Sequence, residues 1–454
     1  MHSQVVTQHR LLPMANKEFD IVVFGAASFV GKILCQYLVH EHLEPNLSWA
    51  MAGRSESKLR DLKQSLGDAA KLVPIIVVDA RAEQALRAMC ERTAVIISTV
   101  GPYALYGENL VKTCASTGTD YCDLTGEPQW MRKMIDRYQT HAEASGARIV
   151  HCCGFDSIPS DLGVKFLQQQ ALQQFGNYCS QVKMRVKVMQ GGASGGTIAS
   201  MLNLYKEMGS DPEVRAQMAD IYSLCPPEFR QRVPQQDITV MYDKDFNSWV
   251  GPFVMAGINT RVVLRSNALR SQSYAANFSY DEGTLTGTGK KGEQRARRMA
   301  LGTRMLLRGL SIAPVRWLLG RFVVPKPGAG PSPEAQRSGS YDLRFFGRTE
   351  AGQELSVKLT GDRDPGYGST AKMLAQAALS LRRDVDKGRI RGGFWTPATV
   401  FDDKLTQRLQ NYAGIHLELL EVIHAAAAPP QLLTTASTRN ARRIIWPSIS
   451  IRSQ

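Results

Sequence analysis

Several familiar signatures are missing from this chain. None of its eight cysteines lies in a CxxC pair, and the adjacent Cys152-Cys153 makes a poor bridge. In 454 residues a disulfide framework is not expected, and the thiols read as reduced core residues of a cytoplasmic protein. No stretch reaches the ~18 consecutive apolar residues of a spanning helix, and no secretory signal precedes the first strand. The eight histidines are scattered, without zinc-site spacing, so no metal is expected. No G-x-S-x-G elbow offers a hydrolase nucleophile, and no RNA- or DNA-module signature appears, so nucleic acid is not an expected partner. Acids are in deficit, 41 against 55 bases, for a charge of +14. The excess sits in two places. Residues 290–326 hold ten Lys/Arg against Glu293, and the tail 425–454 holds four Arg and no acid. The remainder is close to neutral.

What is present is a rhythm. Strand-like runs at 19–24, 47–52, 72–79, 94–100, 121–124 and 147–153 alternate with helical ones at 29–40, 57–66, 82–91, 107–116 and 127–145. Short apolar, β-branched strands between amphipathic helices predict a parallel sheet covered on both faces. After Gly154 the rhythm changes. Strands are expected at 182–189, 261–265, 273–280, 340–347 and 353–361, and helices at 198–208, 291–309 and 370–383. The fold class is therefore α/β, a Rossmann-like parallel-sheet domain followed by a larger mixed α+β domain. The expected division is a disordered leader at 1–17, with Met14 a candidate initiator, then a nucleotide domain at 18–155. A substrate domain follows at 156–365, then a helical part at 366–424 and a disordered basic tail.

Gly25-Ala26-Ala27-Ser28-Phe29-Val30-Gly31 joins the first strand to the first helix. A dinucleotide fold needs a first glycine for the tight turn and a last one for close helix–strand packing, and Gly25 and Gly31 supply both. Ser28 replaces the middle glycine, and the helix N-terminus can still hold an anion. Where an NAD site carries an acid after the second strand, this chain has Gly53-Arg54-Ser55. No carboxylate repels a 2′-phosphate there, and Arg54 can pair with one, which favours NADP(H). Ser55 is a helix cap beside it. Asp79, ending the third strand, is placed to reach the adenine. Val100-Gly101-Pro102, after the fourth strand, borders the nicotinamide side.

Together these stretches resemble the saccharopine dehydrogenase-like oxidoreductases, and most closely the trans-acting enoyl reductase branch. The matching pieces are VVFGAASFVG (22–31), AGRSESKL (52–59), ISTVGPYALYGENLV (97–111), TDYCDLTGE (119–127) and GFDSIPSDLG (154–163). SGGT (194–197), PKPGAGPS (325–332), GYGSTAKMLAQAAL (366–379) and GGFWTPA (392–398) follow. The resemblance implies a cleft between two domains, a late helix packing back on the first domain, and a cofactor turn made of Gly25, Ala27, Ser28, Phe29 and Val30. It also implies Arg54 as partner of the 2′-phosphate and Val100-Gly101-Pro102 beside the nicotinamide. The implied activity is NADPH-dependent reduction of an enoyl double bond in a lipid or polyketide. The alternatives are a saccharopine-type amino-acid or imine oxidoreductase, and a lipid-associated nucleotide-binding protein without turnover.

Enoyl reduction needs hydride at the β-carbon, a proton at the α-carbon and donors for the thioester oxygen. Tyr103 is a candidate donor or an aromatic lid. Asp156, just beyond the sixth strand, is the leading candidate carboxylate. Asp123 and Glu127 bracket a turn as acids or as helix caps with Thr125, and Ser160 and Asp161 read as caps. Ser194-Gly195-Gly196-Thr197 is a small-residue turn suited to a carbonyl or phosphate. In the basic segment Arg297, Arg304 and Arg308 share one helix face, opposite Met299, Leu306 and Leu310. Such a helix suits an acidic carrier protein or an anionic membrane surface, the latter making the protein peripheral. A homodimer is also allowed for.

Overall fold

The computed structural model describes residues 17–424 apart from 42–43, 45, 192–194, 230–231, 271–273 and 323–329. Met14 and nearly all of the expected leader, the basic tail, Ser194 and most of the 325–332 loop lie outside the described residues. The first half runs β1 (Phe19–Phe24), α1 (Phe29–His40), β2 (Trp49–Gly53), α2 (Glu56–Ser65), β3 (Ile75–Val77), α3 (Glu83–Glu91) and β4 (Thr93–Ser98). It continues with the single turn α4 (Tyr103–Tyr106), α5 (Glu108–Thr117), β5 (Asp120–Asp123), α6 (Pro128–Ser145) and β6 (Arg148–Val150). The third strand is shorter than the expected 72–79. Pro74 has no N–H for a ladder, Leu72 is exposed, and β3 is an edge strand paired, among the described residues, only with β2.

The second half runs α7 (Ile158–Phe175), β7 (Gln181–Gln190), α8 (Gly195–Ser210), α9 (Pro212–Ala219), β8 (Met241–Asp243), β9 (Ser248–Pro252), α10 (Ala256–Leu269) and β10 (Ser279–Gly287). Then come α11 (Gly289–Ser311), α12 (Ala313–Phe322), α13 (Pro333–Ser338), β11 (Ser340–Arg348) and β12 (Glu354–Gly361). The chain closes with α14 (Thr370–Arg383), β13 (Gly393–Trp395), α15 (Pro397–Val400), α16 (Asp402–Tyr412) and β14 (Ile415–Ile423).

Two seven-stranded sheets result. The first, β13-β6-β5-β4-β1-β2-β3, is parallel throughout. The second, β14-β12-β11-β7-β10-β9-β8, is mixed, with β7 and β10 its parallel pair. Three expectations need correction. Residues 261–265 are not a strand but lie inside α10. That helix is buried from Ile258 to Asn267, so it lacks the polar stripe that would mark a helical period. The strand expected at 273–280 begins only at Ser279. Residues 415–423, within the expected helical part, form β14 and pair with β12 in the second sheet.

Alternation along the first sheet's strands decides what covers it. Ile21, Val23, Met51, Val95 and Ile97 point to one side, with α1 and α14; Val22, Phe24, Ala50 and Ile96 point to the other, with α3, α5 and α6. The C-terminal helix α14 thus packs back on the first sheet. It is buried along most of its length, and Gln376 Nε2 donates to Tyr37 OH on α1 at 2.9 Å. Its end is pinned by charge. Buried Arg148 pairs with buried Asp120, Nε donating to Oδ2 at 3.1 Å and the backbone N to Oδ1 at 2.9 Å. The same guanidinium donates to Leu381 O and Val385 O at 2.8 and 2.6 Å. All eight cysteines are buried free thiols.

Among the described residues, Arg148→Ala leaves Asp120 in the interior with only Lys387 as a cationic partner. The expected loss is about 3–5 kcal/mol, measured by denaturant unfolding of the full chain.

Candidate active site

In a parallel sheet the ligand crevice lies outside the strands' carboxyl ends, where strand order reverses. Here the reversal falls between β1 and β4. The glycine turn follows β1, and residues 99–103 follow β4. Gly25 has φ +90°, and a Cβ on it would lie 2.7 Å from both Thr99 Oγ1 and Val100 Cγ2. A Cβ on Gly31 would lie 2.3 Å from Gly25 O. Neither position admits a side chain, so the turn hugs β4 and the helix hugs the turn. Ser28 caps α1. Its Oγ accepts from Gly31 N at 2.9 Å and bonds Thr99 Oγ1 at 2.9 Å, while Thr99 Oγ1 also donates to Gly25 O. The N–H groups of Phe29 and Val30 fall in the first helical turn, where no intrahelical acceptor exists, and both residues line the cleft. The turn is therefore a rigid anion cradle, as a dinucleotide phosphate requires.

The cleft has a volume of about 2130 Å³ and runs from this turn into the second half of the chain. Of the residues singled out in the sequence, Ala27, Ser28, Phe29, Val30, Gly101, Pro102, Tyr103 and Asp156 line it. Gly25 lies beneath the turn and Val100 packs against it. Arg54, Ser55 and Asp79 are off the lining. Arg54 is exposed at the end of β2 and makes no ion pair or hydrogen bond with any described residue. Ser55 is the N-cap of α2, its Oγ accepting from Lys58 N. Asp79 is exposed, and its carboxylate accepts from Arg81 N at 2.9 Å.

Tyr103 is buried, and its hydroxyl donates to Ser98 O at 2.9 Å. Its proton is thus committed to main chain, and what it turns to the cleft is a ring packed on Trp130. Asp156 sits half-buried in the wall beside Gly126. Burial, reinforced by the charge of Asp123, pushes its carboxyl up to about 7. Asp123 is buried behind it and accepts from Thr125 N and Cys152 N, with His151 Nδ1 at 2.8 Å.

Other expected caps act differently. Glu127 accepts from Tyr103 N and Ala104 N, closing the start of α4, and from Ser200 Oγ on α8 at 2.6 Å. Thr125 accepts from Glu127 N and does not cap α6, whose N-cap residue is Glu127. Ser160 and Asp161 lie inside α7, and Asp161 accepts from Ser266 Oγ and Ala398 N. Gly195, Gly196 and Thr197 line the cleft at the start of α8, where Gly195 N donates to Tyr367 OH.

Sequence reading missed Glu282. It is buried in the cleft wall, accepts from Tyr280 OH at 2.6 Å and Asn259 Nδ2 at 2.9 Å, and burial raises it to about 7. It also missed Lys32 and Lys58 at the cofactor end, and it read Arg304 and Arg308 as part of a basic outer face where the structure also brings them into the cleft lining. No local spacing links these positions. Among the described residues no group of three His, Cys, Asp or Glu is placed to hold a metal.

A parallel sheet with a glycine cradle at its switch point defines a dinucleotide-dependent oxidoreductase. Residues 21–150 match the saccharopine dehydrogenase NADP-binding domain, and the cofactor is NADP(H). A trans-acting enoyl reductase of Mycobacterium tuberculosis is 37% identical over 416 residues, spanning 88% of this chain and 97% of its own. A second protein of that organism, provisionally named in the same terms, is 39% identical over 415 residues with the same coverage. Among solved structures, yeast (Saccharomyces cerevisiae) saccharopine dehydrogenase (L-Glu forming) aligns over 88% of this chain and 99% of its own, at 13% identity and a TM-score of 0.46. The chain belongs to the trans-acting enoyl reductase branch of the saccharopine dehydrogenase-like family.

Gly25→Ala forces a left-handed backbone onto a residue with no room for its methyl. NADPH affinity is expected to fall roughly tenfold to a hundredfold, the equivalent of 1–3 kcal/mol of strain. Titration of intrinsic fluorescence with NADPH measures it.

Proposed function

We propose that the protein reduces the carbon–carbon double bond of a lipid-like acyl thioester or polyketide chain. The observation that carries this reading is Asp156, a carboxyl pushed up to about 7 in the wall of a cleft that begins at the cofactor turn. The cleft then continues between apolar side chains such as Met201, Leu204, Ile221 and Ile238. The names of the mycobacterial relatives support it. NADPH, when bound, supplies the hydride for the β-carbon. Arg54 holds the 2′-phosphate, Asp79 borders the adenine end, and the first-turn N–H groups of α1 hold the pyrophosphate. Val100, Gly101 and Pro102 flank the nicotinamide. Asp156 gives the proton to the α-carbon, and the Tyr103 ring walls the reacting region against water. The working division is cofactor binding at 18–155, substrate binding at 156–365 and closure by the segment from 366.

The acyl group arrives on an acidic carrier protein or from an anionic lipid surface, and residues 290–326 offer the basic face that either would meet. The amino-acid alternative finds less support. Arg261 lines the cleft, but its guanidinium already donates to Gly257 O, Met218 O and Ser223 Oγ. The other two arginines of the lining, Arg304 and Arg308, stand on α11 and not on the elements that carry the cofactor turn or Asp156.

Arg54→Ala is expected to weaken NADPH roughly tenfold to a hundredfold, as the loss of a charge-assisted pair does, and to leave NADH nearly unchanged. Parallel titrations with the two nucleotides check this, and equal losses refute the role. Proton donation needs the protonated carboxyl. With Asp156 at about 7, enoyl-thioester reduction is flat at lower pH and falls as pH rises through that value. Asp156→Asn removes that limb and lowers kcat by about 100-fold. NADPH oxidation followed from pH 5 to 9 tests both.

A further inference from the structure

We infer that α11 and α12 seat the protein on an anionic lipid surface, with the mouth of the cleft turned toward it. Helix α11 has three sides. Gly292, Ala296 and Leu310 are buried, and a Cβ on Gly251 of β9 would touch Met299 Sδ at 3.0 Å, so one side is closed against the second sheet. Thr303, Leu307 and Ser311 line the cleft on a second side. The third side faces outward. Leu301 and Met305 there are more than half exposed, and Ile312, Trp317 and Leu318 carry the same exposure onward into α12.

At ~100° per residue, Arg298, Arg304 and Arg308 fall within ~120° of arc with Leu301 and Met305. None of the three arginines makes an ion pair or hydrogen bond with any described residue. Glu293, the one acid of 290–326, is already paired with Arg297. The outward side is thus apolar at its middle, cationic at its edges and free of uncompensated acid.

Charge complementarity selects an anionic partner, and the exposed indole and leucines select one with an apolar interior. An acidic protein surface satisfies the first alone. An interfacial helix lying in anionic headgroups satisfies both, with its arginines at phosphate level and Trp317 at the acyl boundary. Arg304 and Arg308 border the outward side and also line the cleft. An acyl chain leaving the lipid at α11 therefore meets Leu307 and the apolar wall with no intervening stretch of water. Among the described residues no helix is long and apolar enough to cross a membrane, so the contact is interfacial.

This inference rests on the acyl-substrate reading only for the purpose of the surface. Flotation of the full chain with vesicles, without NADPH or substrate, therefore tests it separately. Phosphatidylcholine–phosphatidylglycerol vesicles are expected to bind roughly 100-fold more tightly than phosphatidylcholine alone, the preference three arginines near a charged surface confer. That preference should fade as salt rises. Met305→Glu with Trp317→Glu, both outside the cleft lining, should lower binding to the anionic vesicles at least ~10-fold. The melting temperature and NADPH affinity should stay as in the parent. Absence of binding to anionic vesicles, equal binding to both compositions, or undiminished binding by the double variant overturns the proposal. Retention on an immobilised acyl carrier protein without vesicle binding also overturns it, in favour of a protein partner. Loss of enoyl reduction with vesicle binding intact strikes only the reductase reading.

Discussion

A parallel sheet whose strands are apolar on both faces must be covered twice, and that requirement organises the whole chain. The helices that β1 to β6 bring with them close one face and begin the other. The rest of the second face is closed by α14, more than two hundred residues after β6, and the sheet's edge is completed by β13. Polar ties mark the seam. Arg148 reaches from Asp120 to the last carbonyls of α14, Arg382 and Arg383 reach back to Asp20, and Arg265 donates to Phe394 O on β13. Each of these bonds joins groups distant in sequence, so the first sheet is finished only when the chain has returned from the second. Six strands of the second sheet are in effect a long insertion between β6 and β13 of the first, and its last strand, β14, is added after β13.

The cleft follows from that insertion. Its floor is the carboxyl edge of β1 and β4, and its walls and roof are α8, α10 and α11. Phe29, on the glycine turn, stacks edge-on against Tyr367 just ahead of α14, with ring centroids 4.7 Å apart. The turn that leads into the covering helix therefore positions a neighbour of the cofactor cradle. Acids placed in these walls lose hydration, which favours their protonated forms. Asp156 and Glu282 reach the same range from opposite sides of the seam, one after β6 and one on β10.

What could be read in the sequence was whatever is decided locally. Gly25, Gly31, the strand alternation and the acid-free end at Arg54 each follow from neighbours within a few residues, and most elements through 150 stand close to their expected limits, with β3 and β6 shorter than expected. What escaped was decided at a distance. α10 looks like a strand at Val262-Val263 because a helix buried on all sides loses its polar stripe. β14 alternates clearly enough, yet the helices before it suggested more helix. Glu127 does stand at the N-cap of the helix after it, yet its carboxylate serves the turn at Tyr103, twenty-four residues back. Glu282 owes its place to Tyr280 and Asn259, and the Tyr103 hydroxyl donates its hydrogen bond to Ser98 O. No spacing rule could anticipate either.

The eight buried thiols carry a consequence of their own. Six of them, Cys35, Cys90, Cys114, Cys122, Cys152 and Cys153, sit in the layers around the first sheet, and Cys179 and Cys225 belong to the second half. Burial raises the thiols of Cys35, Cys114, Cys152 and Cys153, so a buried sulfur is both hidden and un-ionised. An alkylating reagent meets a reactive thiolate only when a layer lifts away. The native chain thus carries a clock for its own opening, and the order in which the cysteines are labelled reads out which layer parts first.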